Sequence, residues 1–264
     1  RFIASYPAPA GDLGFREAVA QSLRNEFGWP LTAGNVGLTS GSQSAFFFLF
    51  NLFAGECIDG GHRRILLPLA PEYIGYADVG LTPGMLLAQP AGIRELDGGY
   101  FKYFVDFDRL DVPDDVGALC VSRPTNPSGN VLTLAELQRL DALARARRVP
   151  FIIDAAYGLP FPGIQHEHLD SLWNPNVVLC LSLSKLGLPA VAMTSGACSS
   201  GVKPRSVATT AAVSKSTTWL IVAMTPFFIS SLITSTGVKP SNCARSPTTI
   251  AGGSWRTGVV SVEL

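Results

Sequence analysis

The sequence predicts an α/β fold, a three-layer αβα sandwich on a mostly parallel, mixed sheet. Three observations predict it. Short continuous apolar runs recur along residues 1–189, amphipathic helical patterns alternate with them, and the residues of chemical character stand just after the runs. Strand-helix-strand alternation gives a largely parallel sheet covered on both faces. Ligands of such sheets bind beyond the carboxyl ends of the strands.

The elements follow in order. Asp12 can cap a helix whose Phe15, Val19, Leu23 and Phe27 recur every fourth position on one face, and Gly28 ends it. Residues 36–39 make a short strand that meets a Ser-Gly-Ser turn, and 43–54 run as an apolar, buried helix. Apolar strands follow at 65–69 and 85–89, with a β-rich piece at 100–107. Residues 118–122 are a continuous apolar run of the parallel-sheet kind. Thr133 and Glu136 have capping-box spacing for a helix reaching about residue 148, and strands follow at 150–153 and 177–181.

Composition narrows the function classes. The chain has 264 residues, 47% of them hydrophobic, enough for a sizeable core, and its 20 basic and 20 acidic residues cancel. That balance gives no general attraction to nucleic acid or to an anionic membrane, so small-molecule partners are expected. The longest apolar stretch, residues 219–233, is interrupted by Pro226 and falls short of the roughly 20 residues that span a bilayer. No signal peptide is visible at the start, and since the sequence opens without Met, residues missing before it are an expectation. Cys57, Cys120, Cys180, Cys198 and Cys243 form no C-x-x-C pair and are read as reduced thiols of a cytoplasmic protein. His166 and His168 are two apart beside Glu167 and Asp170, but in a Pro/Gly-containing connector they read as a solvated loop, so no metal is expected.

Four strand ends carry the chemistry: Ser40-Gly41-Ser42-Gln43, Asn126-Pro127-Ser128-Gly129, Asp154 with Tyr157, and Ser182-Leu183-Ser184-Lys185. A lysine at the end of a buried strand is poorly placed unless its amine meets a partner, and a desolvated lysine is a good nucleophile toward carbonyl carbons. Taken singly, each has an ordinary reading. Lys185 could be a surface lysine, Asp154 a helix cap, Ser42 and Ser182 caps, and Tyr73 a core tyrosine.

Taken together and in order, they resemble the class I/II aminotransferases of pyridoxal-5′-phosphate (PLP) fold type I. The ordered set is Tyr6 with Gly11, Gly41-Ser42-Gln43, Pro71-Glu72-Tyr73, Asn126-Pro127-Ser128-Gly129, Asp154 with Tyr157, and Ser182 with Lys185. The strings SGSQSAFFFLFNLFAG, PLAPEYIGYAD, VSRPTNPSGNVLT and LSLSKLGLP most resemble members acting on valine and pyruvate. The resemblance implies a transaminase that moves an amino group between a small aliphatic amino acid (valine or alanine) and a 2-oxo acid (pyruvate or 2-oxoisovalerate). It implies PLP as cofactor, with Lys185 holding it covalently and moving the catalytic proton. It further implies that Asp154 pairs with the ring nitrogen, Tyr157 and Asn126 bind the ring hydroxyl, and Tyr73 stacks on the ring. Gly41, Ser42, Gln43 and Ser182 would bind the phosphate, as would Tyr6 of a neighbouring subunit, which makes a homodimer the expected unit.

The resemblance stops near Pro189. Family members continue with Pro-Gly-x-Arg, whose arginine binds the phosphate; here Ala192 stands in that place. No counterpart is found for the substrate-carboxylate arginine, and the segment before Tyr6 is absent. The composition also breaks. Residues 1–189 hold 14 Lys+Arg and 19 Asp+Glu, leaving 6 and 1 for residues 190–264, of which 24 are Ser or Thr without a clean period. The expectation is a PLP-binding large domain at 1–189, truncated at its N-terminus, followed by a divergent, frame-shifted or foreign tail at 190–264, with the family's small domain absent or replaced. A non-catalytic PLP-binding remnant and a fold type I lyase are the alternatives; a Rossmann dinucleotide domain is disfavoured because no G-x-G-x-x-G follows an early strand.

Overall fold

The computed structural model describes residues 8–58, 60–158, 170–182 and, for the backbone only, 220–223. Helix α1 (Leu13–Phe27) starts where expected: the Asp12 side chain accepts from the Phe15 N–H at 2.8 Å, and Gly28 closes it in the left-handed region. Strand β1 (Val36–Thr39) leads into helix α2 (Ser42–Phe53), followed by β2 (Gly55–Glu56) and β3 (His62–Ala70). Then come β4 (Leu86–Pro90), β5 (Gly92–Glu95), β6 (Phe101–Phe104) and β7 (Val116–Ser122). Helix α3 (Leu134–Ala146) begins with the complete Thr133/Glu136 capping box, and β8 (Phe151–Ala155) and β9 (Val177–Ser182) follow.

The main sheet runs β1-β10-β9-β8-β7-β3-β2, with β4 also paired to β3, where β10 is Leu220–Ala223. The pairs β3/β4, β3/β7, β7/β8 and β8/β9 are parallel, whereas β10 lies antiparallel to both neighbours. The expected α/β architecture with a mostly parallel, mixed sheet is therefore present.

Side-chain alternation sorts the sheet into two cores. Leu119, Val121, Ile153, Leu179 and Leu181 face one side with Val19 and Leu23 of α1 and Leu137 and Leu140 of α3. Ala118, Cys120, Ile152, Val178 and Cys180 face the other with Phe46, Phe50 and Phe53 of α2. Helices on both faces complete three layers. Gly117, in β7, lets α2 come close: a Cβ there would stand 1.7 Å from the Phe53 carbonyl oxygen.

Two expectations need correction. The β-rich piece at 100–107 is a strand only at Phe101–Phe104, and it pairs with unforeseen β5 in a separate two-stranded sheet. β5 is largely exposed and carries Arg94 and Glu95, so no apolar alternation announces it. The tail, read as lacking strand period, contributes the β-prone Leu-Ile-Val-Ala segment of β10 between β1 and β9. The rest of 190–264, and so any small domain, lies outside the described residues.

Candidate active site

Registers bring the informative strand ends to one edge. Ser122 of β7 is paired with Asp154 of β8, and Asp154 with Cys180 of β9, two residues before Ser182. Through β10, Thr39 of β1 is aligned with Ser182 by way of Leu220. The carboxyl ends of β1, β7, β8 and β9 therefore stand side by side. Ser122, Asp154 and Ser182 share the parity of Cys120, Ile152 and Cys180, so all three are on the α2 face.

Asp154 is buried, and both carboxylate oxygens are held. The Tyr76 hydroxyl donates to Oδ2 at 2.8 Å, and the Ala156 N–H donates to Oδ1 at 3.0 Å. Burial pushes this carboxyl up to about 6, with the two hydrogen bonds opposing the rise. The Ala156 contact is a local turn bond, and no helix begins after Asp154 among the described residues, so it is not a helix cap there. Glu72 accepts from the Ser122 N–H at 3.1 Å and from the Ser122 hydroxyl, and burial pushes its carboxyl up to about 8. Burial also raises the Cys120 and Cys180 thiols and the Tyr76 hydroxyl. Among the described residues, no cationic side chain forms an ion pair with Asp154 or Glu72. Among the described residues, the site offers a buried acid provided with donors but without a positive charge.

The other sequence-derived positions surround this acid's edge. Gly41 is the buried N-cap of α2, at φ 137°, a backbone conformation suited to glycine, and it gives no side-chain cap. The first N–H groups of α2, those of Ser42 and Gln43 included, lie outside the intrahelical ladder and carry the positive end of the helix dipole. The Gln43 side chain donates to the Gly75 carbonyl at 3.2 Å. Half-buried Tyr73 opens a short 3-10 turn, Ile74–Asp78, and its ring meets that of Tyr76 edge-on at 5.4 Å. Asn126 and Tyr157 are half-buried in the turns after β7 and β8, and Ser182 is buried at the end of β9. Tyr6 and Lys185 lie outside the described residues, as do His166 and His168.

Three participants escaped the sequence reading. Tyr76 stands three residues after Tyr73 in an otherwise unremarked stretch, Glu72 is the unassigned middle of Pro71-Glu72-Tyr73, and Ser122 was read only as the end of a strand. Ser122 could have been found from parity, since it continues the alternation of Ala118 and Cys120 on the face that Asp154 occupies.

Chemically, the edge can seat an anion on the bare start of α2 and a cationic ring atom against Asp154. A large open depression, about 710 Å³, lies elsewhere, between α1 and the 3-10 turn Ala33–Asn35 before β1, and brings together no comparable set of groups. Among the described residues, no group of three or more His, Cys, Asp or Glu could hold a metal, and no helix is long and apolar enough to cross a membrane.

Comparisons agree with this geometry. The valine-pyruvate aminotransferase of Escherichia coli K12 is 52% identical over 187 residues, which is 71% of this chain and 45% of that protein. The crystal structure of valine-pyruvate aminotransferase from Salmonella typhimurium LT2 superposes with a TM-score of 0.68 at 41% identity, covering 89% of this chain and 51% of that one. A putative amino-acid aminotransferase from Psychrobacter arcticum 273-4 gives a TM-score of 0.72 at 39% identity, covering 89% and 50%. The chain thus spans about half the length of the relatives it matches. The family model for aminotransferase class I and II matches residues 102–235, a stretch that holds Asn126, Asp154, Tyr157, Ser182 and Lys185 and makes up half of the sequence. With the registers that gather those strand ends on one edge, the match means that this chain belongs to the class I and II aminotransferase family.

Proposed function

We propose that this chain is the cofactor-binding part of a PLP-dependent aminotransferase. Its substrates would be a small aliphatic amino acid, valine or alanine, and a 2-oxo acid, pyruvate or 2-oxoisovalerate. Class I and II aminotransferases are generally PLP-dependent, and the valine-pyruvate enzyme of E. coli is the relative at 52% identity. The observation that carries the reading is Asp154: a buried carboxylate at the carboxyl edge, anchored by two donors and lacking a cationic partner among the described residues. That is the environment a protonated pyridine nitrogen would complete.

Bound PLP would supply a ring that accepts the electron pair left when the substrate α-carbon loses its proton. Asp154 keeps the ring nitrogen protonated. Gly41, Ser42 and Gln43, at the start of α2, and Ser182, at the end of β9, hold the phosphate, joined by Tyr6 of a second subunit. Tyr73 would lie against the ring, and Asn126 and Tyr157 would hold its hydroxyl. Lys185, three residues past Ser182, would hold the cofactor and would be the group placed to move a proton at the substrate α-carbon.

The same reading takes residues 1–189 as the PLP-binding large domain and 190–264 as a divergent tail that still lends β10 to the sheet, a division supported by the loss of acidic residues after Asp170 until Glu263. Translating the gene after the Pro189 codon in its other frames tests the division: a frame that restores Gly-x-Arg and an α/β continuation supports it, and neither frame doing so removes it. The working unit is a homodimer. Cys57, Cys120 and Cys180 are free and buried, which suits a reducing cytoplasm.

The experiment is reconstitution with PLP. A visible absorption band that borohydride fixes onto the peptide carrying Lys185, together with conversion of valine and pyruvate into 2-oxoisovalerate and alanine, is the expected result. Absence of the band sinks the cofactor assignment. Elimination products would identify a lyase, and a fixed band without turnover a chain that binds the cofactor and does not catalyse, as Ala192 in place of the phosphate arginine would allow.

A further inference from the structure

The segment after β3 is tied to the candidate site at two points. Glu72 accepts from Ser122, at the end of β7, and four residues on Tyr76 donates to Asp154, which is paired with Ser122 on the neighbouring strand. Tyr73 lies between the two ties. Tyr76 itself is 1% exposed, its ring wedged edge-on against Phe46 at 4.9 Å and beside Phe50 at 5.3 Å. A buried hydroxyl must find a partner, and this one takes the carboxylate oxygen that the Ala156 N–H leaves open.

Resting on the cofactor reading above, we propose that Tyr76 is the positioning residue of Asp154: its hydroxyl fixes the carboxylate's rotation and favours its ionised form, so that the acid meets a cationic ring nitrogen already charged and aimed. Tyr76 touches neither cofactor nor substrate in this role and acts only through Asp154. The rigid wall of Phe46 and Phe50 holds the ring, and the ring holds the acid. A hydrogen bond to a charged group is among the stronger ones, so its loss disfavours the ionised acid by about tenfold, one pH unit.

The sign follows from the groups facing Asp154. Burial raises its carboxyl to about 6, and the Tyr76 bond opposes that rise. Glu72 from the segment after β3, Cys120 from β7 and Cys180 from β9 are the other titratable groups whose charges bear on it. All three are held toward their neutral forms by burial, and Glu72 reaches half ionisation only at about pH 8. Between pH 5 and pH 7.5, Asp154 is therefore the member of this cluster that changes charge. Removing the donor moves its titration upward, and the ionised fraction falls by the largest factor at the acid end.

The test measures binding of pyridoxamine 5′-phosphate, which forms no covalent bond with lysine, to the wild-type chain and to Tyr76→Phe from pH 5 to pH 7.5. The ratio of dissociation constants, variant over wild type, should be about tenfold larger at pH 5 than at pH 7.5. In an Asp154→Asn background, Tyr76→Phe should leave no pH-dependent effect. A ratio that stays flat with pH makes Tyr76 a packing residue and overturns the inference while leaving the cofactor reading intact. A wild-type chain that binds no pyridoxamine 5′-phosphate overturns both. Should Tyr76→Phe fail to melt cooperatively, Tyr76→Met, of similar bulk and without a donor, takes its place under the same criteria.

Discussion

Glu72 accepts both hydrogen bonds that Ser122 has to give, one from the main-chain N–H at 3.1 Å and one from the hydroxyl. This pairing closes the segment after β3 onto the end of β7 with a carboxyl that burial pushes up to about 8 from its ordinary 4.5. A folded state that keeps the acid protonated binds the proton more tightly than the unfolded chain does. Its stability therefore falls as pH rises from about 4.5 to about 8. Asp154, raised to about 6, acts in the same direction over a lower window. Glu72→Gln removes the larger of these dependences while keeping an acceptor for Ser122. In thermal melts, its melting temperature should gain on the wild type steadily from pH 5 to pH 8. A constant difference across that range would show that Glu72 does not titrate there.

Gly117 predicts a stability effect with no electrostatics in it. An added Cβ would lie 1.7 Å from the Phe53 carbonyl oxygen and 2.9 Å from its carbon, so backbone must move. Gly117→Ala should cost about 3 kcal/mol, of the order seen for overpacked cores, and lower the melting temperature by roughly 10 °C. Gly14, inside α1 with only the Asp12 side chain within reach of a Cβ, is the contrast: Gly14→Ala should stabilise by up to about 1 kcal/mol.

Thr133 caps α3 with its hydroxyl, accepting from the Glu136 N–H at 3.2 Å, while Glu136 accepts in return from the Thr133 N–H at 2.8 Å. Thr133→Ala breaks one half of this exchange and should cost about 1 kcal/mol in denaturant unfolding, with an unchanged m-value. An unaltered midpoint would mean that the cap is redundant with the packing of Leu137 and Leu140.

Pro has no N–H to give to a ladder, and β10 is paired on both sides, with Ile221 opposite Leu38 on one strand and Leu181 on the other. Ile221→Pro should therefore weaken the join between β1 and β9 by about 3 kcal/mol, the magnitude of a proline in a helix interior. Hydrogen exchange should show the loss as faster exchange in β1 and β9, with β3 and β7 unchanged. Uniform exchange across all four strands would contradict the pairing.

Much of the frame was legible because local chemistry and tertiary structure agree at those points. Asp12 and Gly28 bound α1 as their side chain and backbone dictate, and the Thr133/Glu136 spacing marks α3 unaided. The strands in the sheet interior read clearly as unbroken apolar runs, since both faces of residues such as Cys120 and Val121 are covered. What escaped depends on partners far along the chain. β5 exists as a strand through its pairing with β6, and β10 through its slot between β1 and β9. Tyr76 is the same case within the site: its importance lies in a hydroxyl reaching Asp154, a relation across 78 positions that no local pattern encodes. Asp154 itself was visible because it ends an apolar run, whereas Glu72 was hidden among residues named for the tyrosine beside it.

The place of β10 bears on how the chain must come together. Among the described strands, β1 joins the main sheet only through β10, so a segment near the beginning of the polypeptide waits for one made some 180 positions later, as with Thr39 and Leu220. Closing so long a loop costs entropy before any pairing rewards it. During synthesis, β3, β7, β8 and β9 can align as they emerge, while β1, which leads into α2, is fixed in the sheet only once β10 has been made. Among the described strands, the edge where β1 meets β9 through β10 would then be the last to close.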